Sequence, residues 1–102
     1  MSNRFAVRRT NYQGSMMVNI CDEELIGNRV SEGELEISIT KDYFAQQMIE
    51  EEEAAELLRS CAIANLVGQR IVEKAVGMKL APSVSVRTIS GVPFLMIFKF
   101  PH

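Results

Sequence analysis

The stretch Ile63-Ala64-Asn65-Leu66-Val67-Gly68-Gln69-Arg70-Ile71-Val72-Glu73-Lys74-Ala75 constrains the fold more than any other, because it joins a long apolar surface to two interruptions, Asn65 and Gly68. So much apolar surface has to be core. A buried amide and a glycine inside a regular element both carry a cost that a plain core segment avoids, so the stretch is also the first place to look for a site. The chain has 102 residues, enough for one domain with one core.

The periodicity around this stretch is helical. Ile71, Val72, Ala75 and Val76 recur at three-and-four spacing and predict a helix that starts near Val67 or Gly68 and stops at Gly77. Upstream, Ala54, Leu57, Leu58, Cys61 and Ala62 mark the apolar face of another helix. It is preceded by Glu50-Glu51-Glu52-Glu53, the only charge run in the chain. Carboxylates at the positive end of a helix are stabilising, so the run reads as a solvated first turn rather than a metal or partner site. The link Ala62 to Leu66 is either a kinked continuation of the helix or a short extended passage, and periodicity does not choose between them.

Strands flank these helices. Arg4 to Arg9 and Ser15 to Cys21 are short apolar-rich runs separated by Asn11-Tyr12-Gln13-Gly14, which predicts a hairpin. Alternation places Phe5, Val7 and Arg9 on one face and Arg4, Ala6 and Arg8 on the other. Asp22-Glu23-Glu24-Leu25-Ile26-Gly27 resembles a single 3₁₀ turn, with Asp22 able to cap it and Gly27 able to end it. Glu34 to Thr40 alternates apolar with polar residues and predicts a half-buried strand; Thr40 then caps a short helix through Asp42-Tyr43-Phe44. Val84 to Ile89 and Phe94 to Phe100 predict the last two strands, joined by a turn at Ser90-Gly91-Val92-Pro93. The final strand is apolar on both faces, with Phe94, Met96, Phe98 and Phe100 opposite Leu95 and Ile97. It is therefore expected to be central in the sheet or to have its outer face covered by a partner, which points to a homodimer through the C-terminal strand.

Composition excludes several classes. Hydrophobic residues at 47%, charged residues at 24% and a net charge of -2 describe an ordinary globular chain without an overall electrostatic grip on nucleic acid or membrane. No apolar run approaches the ~20 residues of a membrane span, and Met1-Ser2-Asn3-Arg4 leads into a strand without a signal-peptide core, so a cytoplasmic setting is expected. Cys21 and Cys61 lie forty residues apart with no CxxC pair, which fits two buried thiols rather than a zinc or redox site; no metal and no cofactor is expected. The only histidine is His102, the last residue, which argues against a histidine-based catalytic centre.

Three candidate sites remain. Asn65, Gly68, Gln69 and Arg70 have the parts of an anion site: a cap, a glycine that allows close approach, and a positive charge beside unpaired N–H groups. The plain alternative is that Asn65 only caps and Gly68 only permits tight packing. Arg4, Arg8, Arg9 and Tyr12 form a basic hairpin with one aromatic, suited to a phosphate backbone or a stacked base; the plain alternative is solubility or the blunting of a sheet edge. Cys21 beside Asp22, Glu23 and Glu24 is the third, and a thiolate there is disfavoured by its carboxylates.

The blocks Cys21 to Gly27, Glu32-Gly33-Glu34-Leu35, Ile63 to Gly68 with Val72 and Ala75, and Gly91-Val92-Pro93 resemble an archaeal family known only as a domain of unknown function, number 424. The resemblance covers almost the whole chain. It implies an archaeal cytoplasmic protein and brings no assigned activity; RNA or a translation-related protein is the partner expected of a small archaeal protein of this kind. The family pattern places a polar pair after Gly-Val-Pro; Phe94 and Met96 stand nearby here, so no polar site is carried over to them.

The expected architecture is a compact single α+β domain of about five strands in a mainly antiparallel or mixed sheet, with two main helices inserted between the third and fourth strands. The expected role is a small binding or adaptor module. The alternatives are a small enzyme or anion-binding protein with a pocket near Asn65, Arg70 and Cys21, and a structural homodimer module.

Overall fold

The computed structural model describes residues 3–99. The chain opens with the expected hairpin, β1 (Phe5–Tyr12) and β2 (Ser15–Asp22), in antiparallel register from Phe5 opposite Asp22 to Tyr12 opposite Ser15. Gln13 and Gly14 make the turn with φ of 51° and 82°, a pair of left-handed residues whose twist matches that of the strands. After a 3₁₀ turn at Glu23–Leu25, β3 (Arg29–Glu32) and β4 (Leu35–Ser38) form a separate antiparallel ribbon. Helix α1 (Lys41–Phe44) follows, and Thr40 Oγ1 accepts from the Tyr43 N–H at 3.4 Å, as the capping pattern predicts. Then come β5 (Gln47–Ile49), α2 (Glu51–Ser60), β6 (Ile63–Val67), α3 (Gln69–Gly77), a second 3₁₀ turn at Ser83–Ser85, β7 (Arg87–Ile89) and β8 (Val92–Phe98).

Six strands build one mixed sheet in the order β5-β1-β2-β6-β8-β7, in which β2 and β6 are parallel and every other pair is antiparallel. The α+β class is therefore as expected, but the inventory differs in two ways. The helices are not one insertion: β6 separates them and lies in the middle of the sheet. Its placement is tertiary, since Ala62 N–H donates to Met16 O at 2.9 Å and Lys99 N–H to Ala62 O at 2.8 Å, so partners on both sides hold the segment extended. The second difference is short pieces without a readable period, β3 and β5, and a seventh strand shortened at its start because the chain after Pro82 turns through Ser83–Ser85.

The two faces of the sheet are covered differently. On one face α2 and α3 pack Ala54, Leu57, Leu58, Ile71, Val72 and Ala75 onto Val7, Val18, Ile20, Ala64, Leu66, Leu95 and Ile97. Each large aliphatic side chain buried there contributes about 1.5–3 kcal/mol of transfer free energy, which makes this the main core. Lys99 reaches the C-terminal end of α2 and donates through Nζ to the Leu58 and Arg59 carbonyls, where a cation is favoured. On the other face a smaller cluster of Ala6, Cys21, Val30, Ile39, Phe44, Val67 and Ile89 is closed by the ribbon and α1. Among the described residues the covering stops there and leaves the rest of that face open.

Candidate functional site

The N-terminus of α3 was the first candidate, and its geometry is specific. Gly68 occupies the cap position with φ 117° and supplies no side chain to the helix. Asp22, at the end of β2, fills that role from across the fold: its Oδ2 accepts from the Arg70 N–H at 2.9 Å and its Oδ1 from the Ile71 N–H at 3.0 Å. The expected arrangement is thus corrected on two points. Asn65 lies inside β6, three residues before Gly68, and caps nothing; Asp22 does not cap its own 3₁₀ turn. The free N–H groups that an anion would seek are held by a carboxylate of the same chain.

Arg70 is also engaged. Its Nε and Nη2 donate to Glu24 Oε2 and Oε1 at 3.1 and 2.7 Å, and Nη2 donates to the Arg4 carbonyl at 2.9 Å. Its guanidinium carbon stands 4.6 Å from the centre of the Phe5 ring, a cation–π contact. The hydrogen bond from Arg70 holds the Glu24 carboxyl below the usual carboxylate range. Burial pushes the Asp22 carboxyl up, against the opposing pull of the Arg70 and Ile71 N–H groups and the Arg70 charge. Gln69, the fourth residue of the candidate set, donates from Nε2 to Glu73 Oε1 at 3.1 Å along its own helix.

The hairpin arginines do not form one patch. Arg9 lies on the helix-covered side, with Nη2 2.7 Å from Glu53 Oε2 on α2. Arg8 lies on the opposite side and donates from Nη1 to the Asp42 carbonyl at 2.9 Å. Arg4 pairs with Glu23 at 2.7 Å. Tyr12 ends β1, and its side chain lies outside the described ones.

Nor do Asn65, Arg70 and Cys21 converge. Arg70 stacks on Phe5, which belongs to the helix-covered core, whereas Asn65 and Cys21 sit at strand positions of the other face. Cys21 is fully buried in the smaller cluster, and burial first, then the Asp22 and Glu24 charges, pushes its thiol up to about 12. Both cysteines are free and buried. Among the described residues no group of three His, Cys, Asp or Glu is placed to hold a metal ion.

What the strands do bring together is an open area on the second face. Cross-strand neighbours share a face, so the pairings Arg8 with Asn19, Asn19 with Asn65 and Asn65 with Met96 define one row across β1, β2, β6 and β8. Thr10, Met17, Ile63 and Phe98 define the next row by the same pairings. Within the first row sits an amide pair: Asn65 Nδ2 donates to Asn19 Oδ1 at 3.0 Å, and Asn19 Nδ2 donates to the Tyr43 carbonyl of α1 at 3.1 Å. Asn19 is buried by α1, Asn65 is half-buried, and exposure rises toward β8, where Met96 and Phe98 are 55% and 51% accessible. Tyr43, 63% accessible, borders the area from α1. The apolar second face of the final strand was legible in the sequence. The Asn19–Asn65 pair was not, because its members are 46 residues apart and meet only through the parallel pairing of β2 with β6.

Comparison with known proteins gives a family and a fold. The family model described as protein of unknown function (DUF424) matches residues 10–100. The crystal structure of an uncharacterized conserved protein from Methanopyrus kandleri is similar, with a TM-score of 0.82 at 17% sequence identity, covering 97% of this chain and 94% of that one. No curated protein matches.

Proposed function

The chain belongs to the DUF424 family of proteins of unknown function, and from that premise we propose that it is a binding module whose working surface is the open half of the second sheet face, docking a protein. The observation that carries the reading is the exposed apolar pair Met96 and Phe98 beside the half-buried Ile63, Met17 and Asn65, all on one face of the sheet. A folded chain gains nothing by leaving such a surface in water, and apolar side chains ringed by polar ones are what a protein partner buries. Methionine suits the task because its unbranched thioether repacks against varied shapes.

RNA is the second reading, favoured by Arg8 on the same face with Lys41 and Tyr43 at its border. It is the weaker one, since phosphate contacts supply most nucleic-acid affinity and the strand positions of this face carry a cation only at its ends, Arg8 and Arg87. A cytoplasmic setting, where thiols stay reduced, accords with two free buried cysteines.

The experiment is co-purification of the full chain from native extract, run in parallel with Met96→Glu and with Arg8→Ala as the arginine variant, and followed by identification of bound protein and RNA. A protein retained by the wild type and by the arginine variant but lost from Met96→Glu is the expected result. RNA retained by the wild type and by Met96→Glu but lost from the arginine variant would replace the protein reading with the RNA one. Identical retention by all three would remove the face from consideration.

A further inference from the structure

We infer that the protein docked on the open face is a second copy of this chain, related by a two-fold axis passing beside Asn65; this rests on the reading of that face as the working surface. A two-fold contact puts one patch against itself, so the patch has to be complementary to itself. Its polar centre meets that condition. Asn65 spends one Nδ2 hydrogen on Asn19 Oδ1, and among the described residues its own Oδ1 accepts from nothing. A carboxamide with a donor and an acceptor to spare pairs reciprocally with an identical carboxamide, and a single such pair fixes register in an otherwise apolar contact.

The border meets the condition too. Arg8 and the exposed Asp42 adjoin each other at the β1 edge of the area, with Arg8 Nη1 on the Asp42 carbonyl, and among the described residues no cation pairs with the Asp42 carboxylate. One border carrying both signs lets Arg8 of each copy meet Asp42 of the other, whereas a border of one sign would repel its own image. Around Asn65 lie Met96 on β8, away from that border, and Ile63 and Met17 in the next row, apolar groups that exclude water around the amide pair. The whole chain carries a net charge of only -2, so two copies approach without strong repulsion.

The test is the oligomeric state of the full chain, by light scattering coupled to gel filtration across micromolar concentrations. The wild type is expected to be a dimer, and Met96→Glu to weaken dimerisation at least tenfold. Val84→Glu, at an 89% exposed valine outside the face, is expected to leave the dimer intact. Met96→Cys provides a second measurement: with both native thiols buried, mild oxidation should cross-link it into a covalent dimer, and Val84→Cys should not cross-link. A wild type that stays monomeric throughout overturns the inference. So does a dimer that Met96→Glu leaves intact and Met96→Cys does not cross-link. If the wild type is monomeric yet Met96→Glu still abolishes retention of another protein from extract, the occupant is wrong and the working surface stands; if retention is also unaffected, both fall.

Discussion

A Cβ built on Gly68 would lie 2.5 Å from the Asp22 carboxyl carbon. The glycine is therefore required twice, by its φ of 117° and by the carboxylate that closes over it to reach the first N–H groups of α3.

This predicts a coupled pair. Gly68→Ala should cost about 3 kcal/mol, from strained backbone and a displaced carboxylate. Asp22→Ala should cost about 2–3 kcal/mol, because two N–H groups lose their acceptor. The double variant should cost clearly less than their sum, since alanine at 68 then meets no carboxylate. Urea denaturation of all four proteins measures the cycle, and strict additivity would show that the two residues act separately.

The acid limb of stability should hold two opposed contributions. Glu24 is held below its ordinary 4.5, so its stabilisation is complete above that pH and fades as the pH falls through the lowered value. Asp22 is raised above 3.8, so the fold favours its protonated form; that contribution is full below 3.8 and is lost as the pH rises through the raised value. Glu24→Gln should lower stability by about 0.5–1 kcal/mol near neutrality and by nothing at strongly acid pH. Asp22→Asn should remove the opposing slope. Stability curves against pH for the three proteins decide it, and parallel curves would count against both assignments.

Lys99 should matter to α2 although it lies beyond β8. Its ammonium serves the Leu58 and Arg59 carbonyls at the negative end of the helix, so Lys99→Met, which keeps the aliphatic stem, should cost about 1 kcal/mol. Lys99→Arg should recover most of it. A melting temperature identical in all three would mean that the cap contributes nothing.

Asn65 should not tolerate the substitutions that a helix cap tolerates. Serine or aspartate at an N-cap is nearly neutral, but here the carboxamide donates to Asn19 Oδ1. Asn65→Asp would face that oxygen with a carboxylate and should cost about 1–3 kcal/mol. Wild-type stability in Asn65→Asp by urea titration would restore the capping role.

Both thiols should be inert in the folded chain. Cys21 is fully buried with its thiol pushed up to about 12, and Cys61 is buried with its thiol raised as well. Ellman's reagent at mildly alkaline pH should react with neither until denaturant is added. Fast labelling of Cys21 in the native protein would reopen a nucleophilic role for it.

Helical spacing alone located α2 and α3, the turn residues located the first hairpin, and two apolar faces on one strand located β8 inside the sheet. These are local signals, carried by periods of 3.6 and 2 along contiguous residues. Ile63 to Val67 carries no such signal, because five residues are too short a run for either period to show and Asn65 breaks the apolar positions. Its extended form was decided by hydrogen bonds from β2 and β8. The same limit governs the sites. The sequence placed Asn65, Gly68 and Arg70 together by proximity along the chain, whereas the fold puts Asn65 on one side of the sheet and Arg70 on the other. It gives Arg70 to Glu24, the α3 N-terminus to Asp22, and Asn65 to Asn19. Each of those partners is more than forty residues away, and no property of either residue alone names the other. The pairing follows only once the parallel register of β2 and β6 is set.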